Sequence, residues 1–164
     1  MKNIFKVDGR VNIKALIISV VVTFAAGFLG ALAGKEYFND YLNLYKPVFA
    51  PPSFVFPVVW TILYILMAIA AYRVYMKKYS GTNIAKAIKL YAVQLFLNFL
   101  WPVLFFRFRL YGLAFLELLI LLVFILLTTF EFYKSDKIAA FLMIPYIVWV
   151  SFAGVLNYAI WMMN

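Results

Sequence analysis

The sequence predicts an all-α integral membrane protein, a bundle of five transmembrane helices. Three observations carry that prediction. Of the 164 residues, 68% are hydrophobic and only 13% charged, against about half and a quarter in water-soluble domains. Five stretches are long enough, at 1.5 Å per residue, to cross a hydrocarbon layer. None of them alternates with period two, which disfavours a β-barrel, and a lipid-embedded backbone that is not a barrel must be helical.

The stretches follow in order. Ala15 to Ala33 and Ser53 to Tyr72 carry no charge, and Leu90 to Phe106 carries none but is short and contains Pro102. Leu110 to Phe130 carries one charge, Glu117, and Ile138 to Asn164 none. These place helices at about 13–34, 54–76, 84–106, 110–133 and 138–162, in a single domain over 1–164, with a loop at about 35–53. Pro102 and Pro145 fall inside helices, where each removes a backbone bond and favours a kink. Pro57 sits early in its helix, where proline costs little.

Charge sets the orientation. One side holds Lys2, Lys6, Arg10, Lys14, Arg73, Lys77, Lys78, Lys86, Lys89, Lys134 and Lys137; the other holds only Lys35, Lys46, Arg107 and Arg109. The positive-inside rule then predicts a cytoplasmic N-terminus and an outside C-terminus. The same rule accounts for the net charge of +9 without a nucleic-acid partner. The basic start, the apolar run and Ala31-Leu32-Ala33 resemble a signal peptide, but the run is long for one. Gly30 to Gly34 also reads as a GxxxG packing face, and Ala26, Gly30 and Gly34 are candidates for a dimer contact. No Arg/Ser-rich leader is present, which points to a bacterial plasma membrane rather than an organelle.

Cysteine and histidine are absent. That excludes disulfides and Ser-His or Cys-His catalysis, and it leaves no metal site to expect. No catalytic residue is assigned and no cofactor is required. Glu117 must face the bundle, pair with a base such as Arg107 or Arg109, or be neutral; a packing or dimer-contact role is expected.

The first loop holds Tyr37, Phe38, Tyr41, Tyr45 and Phe49 beside Pro47, Pro51 and Pro52. It reads either as an interfacial aromatic belt or as a stiff lid over an outward-opening cavity. Inside the helices, Gln94, Asn98 and Trp101 share one face, as do Trp149, Ala153 and Asn157, and Trp60 and Tyr64. Such stripes line a mostly apolar ligand pocket, or the amides hydrogen-bond neighbouring helices.

Three runs carry a resemblance. They are Tyr45-Lys46-Pro47 through Pro51-Pro52, Phe56-Pro57, Trp60 and Leu63-Tyr64; QLFLNFLWPVLFF from Gln94 to Phe106; and PYIVWVSFAGVLNYAIW from Pro145 to Trp161. Together, over about Tyr41 to Asn164, they resemble the translocator protein family, also called tryptophan-rich sensory proteins or TspO. The resemblance implies a five-helix bundle, often a homodimer, with a pocket under the first loop. It implies porphyrin or haem as ligand, with binding as a sensor or translocator; a light-dependent porphyrin-degrading enzyme and a structural scaffold are the alternatives. Carried over, the pocket includes Tyr41, Trp60, Tyr64, Asn98, Trp101, Phe105, Trp149, Ala153 and Leu156, shaped by Pro47, Pro51 and Pro52. The family's sterol motif is incomplete, because no Lys or Arg follows Tyr158, so sterol binding is not expected.

Overall fold

A computed structural model describes residues 4–36 and 38–164, with side chains at all of these except 38–40. Lys2 and Tyr37, and the side chain of Phe38, thus lie outside the described residues. The helices are α1 (Ile13–Lys35), the short α2 (Phe38–Asn43), α3 (Val55–Met76), α4 (Ala85–Pro102), α5 (Tyr111–Ser135) and α6 (Lys137–Met163). A 3₁₀ turn, Lys77–Ser80, extends α3, and a π-helical turn, Val103–Arg107, extends α4. Five of these rods are long and apolar enough to cross a membrane.

Local chemistry sets the ends. The Asn12 side chain accepts the Ala15 N–H at 3.0 Å and Asp136 accepts the Ala139 N–H at 2.8 Å, capping α1 and α6. Gly81 closes the 3₁₀ turn at φ 82°, a left-handed conformation that favours glycine. Pro102 has no N–H to give, and its ring crowds the carbonyl four residues back. The helix widens there into the π turn rather than simply bending. α6, by contrast, runs unbroken through Pro145.

The five long helices close into a ring in the order α1, α3, α6, α5, α4 and back to α1. The two ends of the ring differ. At the end bearing most basic residues, small side chains such as Ala70, Ala71, Ala87, Ala139 and Ala140 let the rods close up. Met67, Ile125, Phe132 and Met143 fill what space remains. A buried ion pair fastens this end: Arg73 Nη2 lies 2.8 Å from Asp136 Oδ2 and Arg73 Nε donates to Asp136 Oδ1 at 3.1 Å. The N-terminal turn docks onto it, with Tyr72 OH donating to the Phe5 carbonyl at 2.9 Å and Val7 buried. At the other end large aromatic side chains hold the rods apart.

The outward faces confirm the inverted solvent preference. Ile17, Val21, Phe28 and Leu29 on α1 are all more than half exposed, tolerable against acyl chains but not as a continuous surface in water. Gly30 and Gly34 are not on that surface. A Cβ at Gly30 would meet Pro102 Cγ at 2.9 Å, and one at Gly34 would meet Phe106 at 3.0 Å. These two glycines pack within the chain, seating α1 on Phe99 and Pro102 of α4 and on Phe106 of the π turn. Glu117 faces the interior of the bundle, one of the placements its charge allows. It is 5% exposed, inside the bundle, with neither carboxyl oxygen bonded among the described residues. Neither Arg107 nor Arg109, both exposed at the end of the π turn, reaches it.

Candidate ligand pocket

The open end of the ring encloses a cavity of about 570 Å³, within the roughly 300–1,000 Å³ usual for small-molecule sites. Its walls are built from i, i+4 aromatic pairs. On α3, Trp60 and Tyr64 stack with centroids 5.4 Å apart and planes 26° apart. On α4 and the π turn that extends it, Trp101 and Phe105 stack at 5.0 Å and 28°. Both pairs line the cavity, and α3 and α4 scarcely touch elsewhere. The gap between them presents flat aromatic surfaces to whatever enters.

Polar groups brace these walls. Tyr64 OH donates to Asn98 Oδ1 at 2.9 Å. Asn98 Nδ2 donates to Tyr146 OH at 2.9 Å, and Tyr146 OH donates to Gln94 Oε1 at 3.0 Å. The chain ties α3, α4 and α6 together beneath the cavity. A second bridge runs from Trp101 Nε1 to Asn157 Oδ1 at 3.0 Å and from Asn157 Nδ2 to the Tyr111 carbonyl at 2.8 Å. Buried amides with both ends used fix wall positions more firmly than packing alone. The stripes therefore serve both readings, helix joining and pocket lining.

The first loop is folded over the opening. Tyr41, buried, packs its ring against Phe56, Phe105 and Phe106 at 6.2, 6.1 and 5.7 Å. Turns at Pro47 and Pro52 are closed by Ala50 N and Val55 N at 2.9 and 3.0 Å. Asn164 exchanges two hydrogen bonds with the backbone of Tyr45, both 3.0 Å, which staples the loop to the end of α6.

Of the residues expected at the site, Tyr41, Trp60, Tyr64, Asn98, Trp101, Phe105, Ala153, Leu156 and Asn157 line the cavity together. The others do not line it. Gln94 is one helical turn below Asn98, buried under the floor. Trp149 stands behind Phe56, at 5.9 Å, and beside Phe152, at 5.5 Å. Pro47, Pro51 and Pro52 shape the loop's turns without reaching the cavity. Sequence reasoning missed the α1 wall, where Gly27, Gly30, Gly34 and Lys35 face the pocket, and the contributions of Phe56 and Phe106. α1 is apolar on every side, so periodicity could not show which face turns inward; its three glycines were the available signal.

The sequence as a whole also matches known proteins. Residues 19–162 match the sequence model described as the TspO/MBR family. The chain is 35% identical to a tryptophan-rich protein TspO of Chlorobaculum tepidum, over 93% of this chain and 98% of that one. It is 37% identical to a tryptophan-rich sensory protein of Cereibacter sphaeroides, over 82% of each chain. It is also 37% identical to the translocator protein of Bos taurus, over 84% and 83% of the two chains.

Proposed function

The chain belongs to the TspO/MBR family of integral membrane proteins, and we propose that it binds a tetrapyrrole such as protoporphyrin or haem between its aromatic walls, as a sensor or translocator. The observation that carries this reading is the pair of stacked walls around the cavity. A flat macrocycle gains from face contact with Trp60 and Trp101, each contact contributing about 0.5–1.5 kcal/mol beyond burial. A compact or strongly polar solute gains little there, because the wall amides of Asn98 and Asn157 already accept hydrogen bonds from Tyr64 and Trp101.

Titration of protoporphyrin IX into protein in non-ionic detergent, in the dark, tests it through tryptophan fluorescence. Saturable quenching is expected, and Trp60→Ala should weaken binding roughly three- to tenfold. Absence of saturable quenching in the parent protein sinks the proposal. Loss of porphyrin absorbance under light, abolished by Trp60→Phe, would instead assign an enzyme.

We also propose that the N-terminus faces the cytoplasm of a bacterial plasma membrane, so that the pocket opens outward. The charge asymmetry supports it. The sequence has no cysteine, so single cysteines report without background. Lys89→Cys should resist an impermeant maleimide in intact cells and Tyr45→Cys should react; the opposite pattern reverses the orientation.

A further inference from the structure

We propose that Lys35 receives the anionic edge of the ligand, so that the pocket selects flat hydrophobic molecules carrying a carboxylate on one side. This rests on the tetrapyrrole reading and names the chemistry of its ligand more narrowly. Lys35 closes the last turn of α1, is exposed, and is the one cation among the described residues that line the cavity. No Asp or Glu is among those described lining residues. Its ammonium has no ion-pair partner among the described residues.

The depth of the pocket cannot take a carboxylate. Its walls are apolar or neutral, and the donors of Tyr64, Asn98, Trp101 and Asn157 are committed: Tyr64 OH to Asn98, Asn98 Nδ2 to Tyr146, Trp101 Nε1 to Asn157, Asn157 Nδ2 to the Tyr111 carbonyl. An anion placed there would lose its hydration and find no counter-charge. A macrocycle with acidic side arms must therefore enter ring first and leave the arms at the mouth, where Lys35 stands. The other lysine near the opening is already engaged. Lys46 Nζ donates to the Leu42 and Leu44 carbonyls at 2.9 and 3.1 Å and lies 5.0 Å from the Tyr41 ring centroid.

A lysine in the last turn of any helix also complements the helix dipole. That role is indifferent to the charge of a ligand, so an uncharged ligand of the same shape separates the two. The experiment compares protoporphyrin IX with its dimethyl ester by dark fluorescence titration in non-ionic detergent, on the parent, Lys35→Gln and Lys35→Arg. The parent should bind the free acid more tightly than the ester. Lys35→Gln should weaken the acid roughly three- to tenfold, to the level of the ester, and leave the ester within about twofold. Lys35→Arg should keep the preference, and added salt should erode it. Equal affinity of the parent for acid and ester, or equal losses of both in Lys35→Gln, overturns the role of Lys35 while leaving the tetrapyrrole reading intact. If neither ligand binds the parent saturably, both fall.

Discussion

Arg73→Ala and Asp136→Asn are each expected to lower the thermal unfolding midpoint sharply in detergent, the largest stability loss of any single substitution considered. Both partners are buried, 5% and 7% exposed, and the guanidinium meets the carboxylate through two bonds of 3.1 and 2.8 Å. Removing one partner strands the other charge without water, at about 3–5 kcal/mol. Two further bonds add to the damage: Arg73 Nη1 donates to the Ile4 carbonyl and Asp136 caps α6 through Ala139 N–H. Removing both charges while keeping a cap, as in Arg73→Met with Asp136→Ser, should recover much of the loss. Single variants that unfold within about 1 kcal/mol of the parent would show that the pair is not what fastens this end.

The same pair predicts an acid limit. Burial alone raises the Asp136 carboxyl, but the Arg73 guanidinium and the Ala139 N–H outweigh it and hold the group below the usual aspartate range. A carboxyl depressed in the folded state adds stability that is complete above its unfolded value of about 3.9 and drains away as pH falls through the lower folded value. The unfolding midpoint of the parent should therefore fall more steeply below about pH 4 than that of Asp136→Asn. Parallel profiles would assign the acid limit to another group.

Most of the fold was legible because the constraint on it is crude. A helix that crosses lipid needs about 20 apolar residues, and Glu117 is the one charge within the five stretches as first bounded. What escaped was whatever tertiary contact decides. α2 has six residues, too short to hold as a helix alone; Tyr41, wedged among Phe56, Phe105 and Phe106, helps keep it in place. Pro102 announced a disturbance, but nothing local distinguishes the π turn that follows it from a kink. Arg73 reads in the sequence as one more basic residue at a membrane face, since nothing local marks Asp136, 63 positions away, as its partner. The site was legible where aromatic and amide residues recur every three or four positions. It was illegible along α1, where Gly27, Gly30 and Gly34 serve the pocket by the absence of side chains.

That absence supports the largest expected effect on binding. Gly27→Ala should cost about tenfold in porphyrin affinity and also lower the unfolding midpoint. A Cβ at Gly27 would sit 2.2 Å from Cε2 and Cζ of the Tyr64 ring and 2.5 Å from its hydroxyl, so one of the two must move. If the ring moves, it enters the cavity, leaves its stack on Trp60 and withdraws its hydroxyl from Asn98, whose buried Oδ1 then lacks a partner. An unsatisfied buried acceptor costs about 1–3 kcal/mol. If α1 moves instead, Gly30 and Gly34 lift off Pro102 and Phe106, and the wall opens; overpacking of this kind costs about 1–3 kcal/mol. Either route costs about 1–3 kcal/mol, a range that spans the 1.4 kcal/mol corresponding to tenfold. A double-mutant cycle identifies the cause. In a Tyr64→Ala background the added methyl meets no ring, so Gly27→Ala should there change neither affinity nor midpoint appreciably. An undiminished effect in that background would mean that Gly27 matters for the backbone of α1 and not for the room it leaves to Tyr64.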